Sequence, residues 1–228
     1  MDNNIVIGIL DDDSSKSLTL EGLLPIKSFS NDLKEKYNKY NLIVQTLAFG
    51  NETTNQLLLA QVDKLKIDCI LIDYKLCSYN CAEVNNGIEF ARELLNQYDS
   101  FPMFIMTSYE GELFDNEIFK PEQVIDYSIF TKFIPGEKNE YRDIMRGKMI
   151  ELVLNYRKET IAIKECLYDL LPQKGTSAYV DSKILELDSK LEKRINGKYS
   201  LPIKLKKDLQ TNRFEELFIK IDELLKTR

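Results

Sequence analysis

IVIGILDDD, residues 5–13, is the stretch that decides the fold: six apolar or small residues run without interruption into three aspartates. A run of that kind, without polar alternation, reads as a strand buried on both faces. The pattern repeats in LIVQTLAF (42–49), CILID (69–73), PMFIMTS (102–108) and YSIFTKF (127–133). Between these runs the chain is helical in tone. Residues 14–40 carry Pro25 and a Ser/Asn patch and so break into two pieces. Helices are expected over 52–65 and in IEFARELLNQY (88–98), with a weaker segment at 111–125. Buried strands alternating with helices predict a doubly wound α/β domain on a parallel sheet.

Along the chain the polar residues fall where such a sheet binds ligands, at the carboxyl ends of the strands. Strand one ends in Asp11 and Asp12, strand three in Asp73, strand four in Thr107 and Ser108, and strand five carries Lys132. Three carboxylates at one edge repel one another and call for a cation. Hard oxygen ligands with positions left for water and phosphate suit Mg2+. A hydroxyl and a lysine beside them can hold the other oxygens of a phosphoryl group. Each residue alone has a plainer reading. A strand-end aspartate commonly caps a turn or helix, the reading taken for Asp13 and Ser14, and an isolated lysine is solvated.

Composition narrows the chemistry. The chain has 228 residues, 43% hydrophobic and 30% charged, enough for a sizeable core and unlike a disordered chain. A net charge of −6 argues against nucleic acid as the main partner. There is no histidine, which excludes Ser-His-Asp and Cys-His catalysis, His metal ligands and a phosphohistidine donor within this chain. No apolar run reaches the ~20 residues of a membrane span, and the N-terminus lacks a basic, cleavable signal. A cytoplasmic location is expected. Cys69 reads as a small buried hydrophobe; Cys77 and Cys81, a C-x3-C pair, fall short of a zinc site and read, like Cys166, as free thiols.

After Gly136 the pattern is helix only. Apolar positions from Tyr141 to Tyr156 recur at helical spacing, and no proline interrupts Tyr141–Leu171 until Pro172 and Gly175 stop it. Helices are also expected over 178–195 and 203–227, the latter restarting at Asn212 with a capping-box spacing to Glu215. The expected organisation is a domain over 1–158, a long final or connecting helix over 139–171, and a helical C-terminal region over 173–228.

With ILDDD, CILIDY, NNGIEFARELL, FIMTS and IFTKF in that order, residues 4–158 resemble the receiver domain of two-component response regulators. The resemblance implies a flavodoxin-like fold with a five-stranded parallel sheet of order 2-1-3-4-5, and reversible phosphorylation of one aspartate. It makes Asp73 the phosphoacceptor and Asp11 and Asp12 the acidic pair that holds Mg2+. The main-chain carbonyl of Lys75 completes the metal shell, Thr107 is the switch hydroxyl, and Lys132 is the phosphoryl-binding lysine. The phosphodonor would be a sensor histidine kinase or another donor in a phosphorelay. The chain departs from the pattern in a longer loop between Asp73 and Gly87, in Phe133 where proline usually comes after the lysine, and in Ile129 at the aromatic switch position, beside Phe130. Lys75 and Tyr109 would flank the path of the hydrolytic water.

Two alternatives stand beside this reading. Asp11 and Asp13 also fit the D-x-D of haloacid-dehalogenase-like phosphatases, although that leaves Asp73 without a role. The C-terminal helices also fit a DNA-binding output, since residues 160–228 carry 14 Lys and Arg against 11 Asp and Glu. The final stretch FEELFIKIDELLKTR mixes acids into its polar side, which suits a downstream protein partner or a homodimer better than phosphates.

Overall fold

The computed structural model describes residues 3–76, 86–108, 120–135 and 137–210. Cys77, Cys81, Tyr109 and the helix expected from Asn212 lie outside the described residues. Among the described residues the sheet has five strands: β1 (Asn4–Leu10), β2 (Asn41–Thr46), β3 (Cys69–Asp73), β4 (Met103–Thr107) and β5 (Val124–Asp126). All pair in parallel, in the order β2-β1-β3-β4-β5. This is the flavodoxin-like order, with the switch point beside β1 and β3. Every residue of β3 and β4 is buried, whereas the edge strand β2 is largely half-buried. That gradient is why the central strands read as continuous apolar runs.

Helices α1 (Ser14–Leu23), α2 (Asn31–Tyr37), α3 (Asn55–Leu65), α4 (Gly87–Gln97) and α5 (Tyr127–Thr131) lie between or after the strands. Pro25 leads into a short 3-10 turn at Ile26–Ser28 and separates α1 from α2, as its fixed φ and missing N–H require. Thr54 caps α3 by accepting from the Leu57 backbone N–H. Asn86 accepts from Glu89 N and so opens α4.

The fifth strand corrects the sequence reading. YSIFTKF (127–133) was expected as a strand, but β5 is the shorter Val124–Asp126 and residues 127–131 are helical. The cause is Asp126. Its carboxylate accepts from Ile129 N at 2.9 Å and from Ser128 Oγ at 2.6 Å, a helix N-cap that turns the chain out of the sheet. Phe130 alone in α5 is buried, while Ile129 and Phe133 are exposed. The aromatic and β-branched composition of the segment favours strands only where a partner strand extends alongside. Here β4 ends at Thr107, in register with Asp126.

The remaining helices are α6 (Glu140–Leu170), α7 (Ala178–Asn196) and α8 (Ile203–Gln210). The chain divides into two compact units, Met1–Asn96 with Ser100–Arg157, and Gln97–Asp99 with Lys158–Arg228. The first holds the sheet and its core, in which Ile5, Ile7, Ile9, Phe104 and Phe130 pack with Met145, Met149 and Val153 of α6. The second has its own small core of Leu167, Ile184 and Leu187. In that unit Arg194 pairs with Glu159 and Asp99, and Lys206 with Asp188 and Glu192. Ser177 caps α7 by accepting from Val180 N. Cys69 is buried and Cys166 exposed, both as free thiols. No described helix is long and apolar enough to cross a membrane.

Candidate functional site

Strand register builds the site. Leu10 pairs with Ile72, so Asp11, one residue further, emerges beside Asp73 at the carboxyl edge of the sheet. Met106 pairs with Asp73, which places Thr107 one step beyond it on the other side. Carboxylate oxygens of Asp11, Asp12 and Asp73 all lie within 4.8 Å of one another. Asp11 and Asp73 are buried, as is Thr107, and Asp12 is half-buried.

Local backbone geometry holds the carboxylates in place. Asp13 N–H donates to Asp11 Oδ1 at 2.8 Å. Asp13 itself caps α1, accepting from Ser15 N and Ser15 Oγ at 2.8 and 2.6 Å and from Lys16 N at 3.4 Å. These bonds, the Ser15 hydroxyl first, hold its carboxyl below the usual range. On the far side of Asp73, Gly87 N–H donates to Tyr74 O at 2.9 Å. A Cβ at Gly87 would stand 2.2 Å from the Asp73 carbonyl oxygen, so only glycine permits this approach. Lys75 is an exposed residue in an isolated bridge with Asn86.

The charges are under strain of the kind a cation relieves. Burial raises the Asp11 carboxyl from 3.8 to about 6, helped by Asp73 and Asp12 and opposed by the Asp13 N–H and Lys16. Burial likewise raises Asp73, against the pull of Lys16. With all three ionised, and one lysine beside them, the cluster carries a net charge of −2. Hard oxygen donors with that charge fit a divalent ion such as Mg2+. A cleft of about 290 Å³ opens alongside, lined by Asp11, Asp12, Ser17, Glu21 and Thr46 among others.

The lysine in the cluster is not the one expected. Lys132 lies six positions beyond the end of β5, after α5, and is exposed. It lines a separate cavity with Ile129, Ile134 and Glu137, and its carbonyl accepts from Asn139 and Arg142. The structure therefore brings Asp11, Asp12, Asp73 and Thr107 together and leaves Lys132 outside. Lys16 stands there instead, its Nζ 3.1 Å from Asp73 Oδ2 and 5.5 Å from the centre of the Tyr127 ring. Burial pulls the Lys16 ammonium down, but Asp73 outweighs it and the net shift is upward. The sequence signal for Lys16 was its position, three residues after the capping Asp13, on the first turn of the helix that leaves the acidic triplet.

No protein-family model and no curated protein matches the sequence. Among solved structures the chain is similar to a fusion carrying the yeast Spc42 trimeric coiled coil. That likeness has 15% identity and a TM-score of 0.44, and covers 82% of this chain and 94% of the other. It is similar to the anti-anti-sigma factor PhyR from Bartonella quintana at 15% identity and a TM-score of 0.40, covering 68% of this chain and 49% of PhyR. It is also similar to NtrX from Brucella abortus, solved with ADP, at 13% identity and a TM-score of 0.43, covering 81% of this chain and 33% of that one.

Proposed function

We propose that this chain is a phosphorylation-dependent signalling receiver whose phosphoacceptor is Asp73. One observation carries the reading: three carboxylates from two strand ends converge within 4.8 Å, with a buried threonine hydroxyl ending the next strand. Asp11, Asp12 and Asp73, with the carbonyl of Lys75, are the residues that would hold Mg2+. When bound, that ion supplies positive charge to offset the oxygens of an incoming phosphoryl group. Asp73 supplies the nucleophilic oxygen, and Thr107 supplies a hydroxyl that can donate to a phosphoryl oxygen. Inward movement of Thr107 on phosphorylation would bias the face running from it to α5, a shift between two populated states.

The dehalogenase-like alternative is weakened by Asp13. Its carboxylate is occupied in capping α1 and is not available as the second acid of a D-x-D pair. The donor in this reading is a sensor histidine kinase or another phosphodonor, and the setting is cytoplasmic. The output is a downstream protein or a second copy of the chain, engaged through the receiver face and the C-terminal helices rather than through nucleic acid.

The test is an intact-mass spectrum of the purified protein after incubation with Mg2+ and a small phosphodonor. The expected result is a gain of one phosphate that hydroxylamine removes, present in wild type and absent in Asp73→Asn. Equal incorporation in both proteins overturns the assignment of Asp73.

A further inference from the structure

We propose that Lys16, on the first turn of α1, is the side chain that binds the phosphoryl oxygens at Asp73. The proposal rests on the phosphoacceptor reading and assigns within it a role that no strand-five lysine is placed to fill. Lys16 Nζ lies 3.1 Å from Asp73 Oδ2, the only ion pair of Asp73 among the described residues. On its other side Nζ faces the ring of Tyr127, at 5.5 Å from the centroid. Tyr127 is the first residue after β5. The ammonium thus stands between the ends of β3 and β5, although its backbone belongs to the helix after β1. Helix α1 delivers the charge across the sheet edge that a lysine at the end of β5 would otherwise supply, because β5 there ends in Asp126 and turns into α5.

The chemistry of transfer gives this ammonium a new partner. One Asp73 oxygen attacks phosphorus; the O–P bond forms as the donor's P–N bond breaks, and the departing nitrogen keeps that electron pair. The attacked carboxylate loses its negative charge in becoming an acyl phosphate, while the phosphoryl oxygens bring theirs to the same place. Lys16, with three donor hydrogens on a flexible stem and a side chain one-third exposed, can track the charge by rotation alone. Before transfer it holds the carboxylate; after transfer it holds the phosphoryl group.

The experiment uses the full chain, Mg2+ and phosphoramidate, with phosphate gain monitored by intact mass. Thermal unfolding of each variant is recorded first, and Lys16→Gln replaces Lys16→Met in every comparison if the latter is unfolded. Lys16→Met is expected to slow phosphate gain at least tenfold, Lys16→Arg to restore most of the rate, and Lys132→Met to react like wild type. A calorimetric Mg2+ titration supplies the second readout. Loss of the competing ammonium is expected to tighten metal binding several-fold in Lys16→Met, whereas a merely structural lysine would weaken both properties together. If wild type gains phosphate and Lys16→Met gains it equally fast, the role of Lys16 is overturned and the phosphoacceptor reading stands. A loss in Lys132→Met with a wild-type rate in Lys16→Met overturns it as well. If wild type itself gains none, the phosphoacceptor reading falls and this proposal with it.

Discussion

Arg146 and Lys16 are both cations set against carboxylates within the same compact unit, and they are used in opposite ways. Arg146 of α6 has a side chain only 3% exposed. Its guanidinium donates to Leu23 O and Ser28 Oγ, each at 2.7 Å, pairs with Asp143, and lies over the Phe29 ring at 4.1 Å. It ties together the break between α1 and α2 that Pro25 creates. The Lys16 side chain is 33% exposed and donates, among the described residues, to Asp73 alone. A planar fork with nearly every donor engaged is part of the scaffold; a flexible ammonium with donors to spare is available to a ligand. The contrast separates a charge that holds the fold from a charge that the site can redirect.

The largest expected effect is on the scaffold side. Arg146→Met strips the half-buried Asp143 carboxylate of its partner and frees the Leu23 and Ser28 carbonyls, with an expected loss of about 3 kcal/mol in urea unfolding. A loss below about 1 kcal/mol would place Arg146 in the same class as Lys16 and dissolve the comparison. Next comes Gly87→Ala at the site edge. The new methyl group meets the Asp73 carbonyl at 2.2 Å and the buried Ile72 Cγ2 at 2.5 Å, so Asp73 and its neighbours must shift. About 2–3 kcal/mol of stability is expected to go, together with measurable loss of Mg2+ affinity by calorimetry. Unchanged affinity would show that the carboxylate cluster tolerates movement of its own backbone.

Asp11 carries the pH dependence. Its carboxyl is raised from 3.8 to about 6 in the folded protein. A group raised on folding contributes stability that is fully present below its unfolded value and is lost as pH rises through the folded one. Metal-free protein is therefore expected to weaken between about pH 4 and 6, and Asp11→Asn to flatten that decline. Above pH 6 the variant is expected to exceed wild type by about 2 kcal/mol without metal, with added Mg2+ narrowing the gap. Parallel pH profiles for the two proteins would remove Asp11 as the strained carboxylate. The smallest effect belongs to Lys16→Met, whose stability is expected to change by less than about 1 kcal/mol because the pair is partly solvated. A larger loss, insensitive to salt, would make Lys16 a second Arg146.

Much of the sheet was legible in one dimension. CILID is a strand over Cys69–Asp73 because both of its faces are covered, and full burial demands apolar residues throughout. The break near Pro25 and the long helix from Glu140 to Leu170 were readable for equally local reasons, a missing N–H and an uninterrupted helical period. The shared edge of Asp11, Asp12, Asp73 and Thr107 was legible because a parallel sheet presents all its strand ends at one edge, so position along each strand already implies proximity.

By itself, then, the sequence determined the parallel α/β class, the carboxylate edge and the helical character of the chain beyond Gly136. Tertiary structure alone decided where strand five stops and which lysine reaches Asp73. YSIFTKF has the composition of a strand, but secondary structure there depends on whether β4 continues beside it, and β4 has ended. Asp126 then captures the Ile129 N–H and the chain turns helical. Lys132 leaves the edge with that turn. Lys16 enters it because α1 starts beside Asp73, 57 residues away in sequence, a distance that no local pattern encodes. Strand and helix preferences are properties of neighbouring residues, whereas the partner of a flexible charged side chain is set by whichever opposite charge the folded chain brings within its reach.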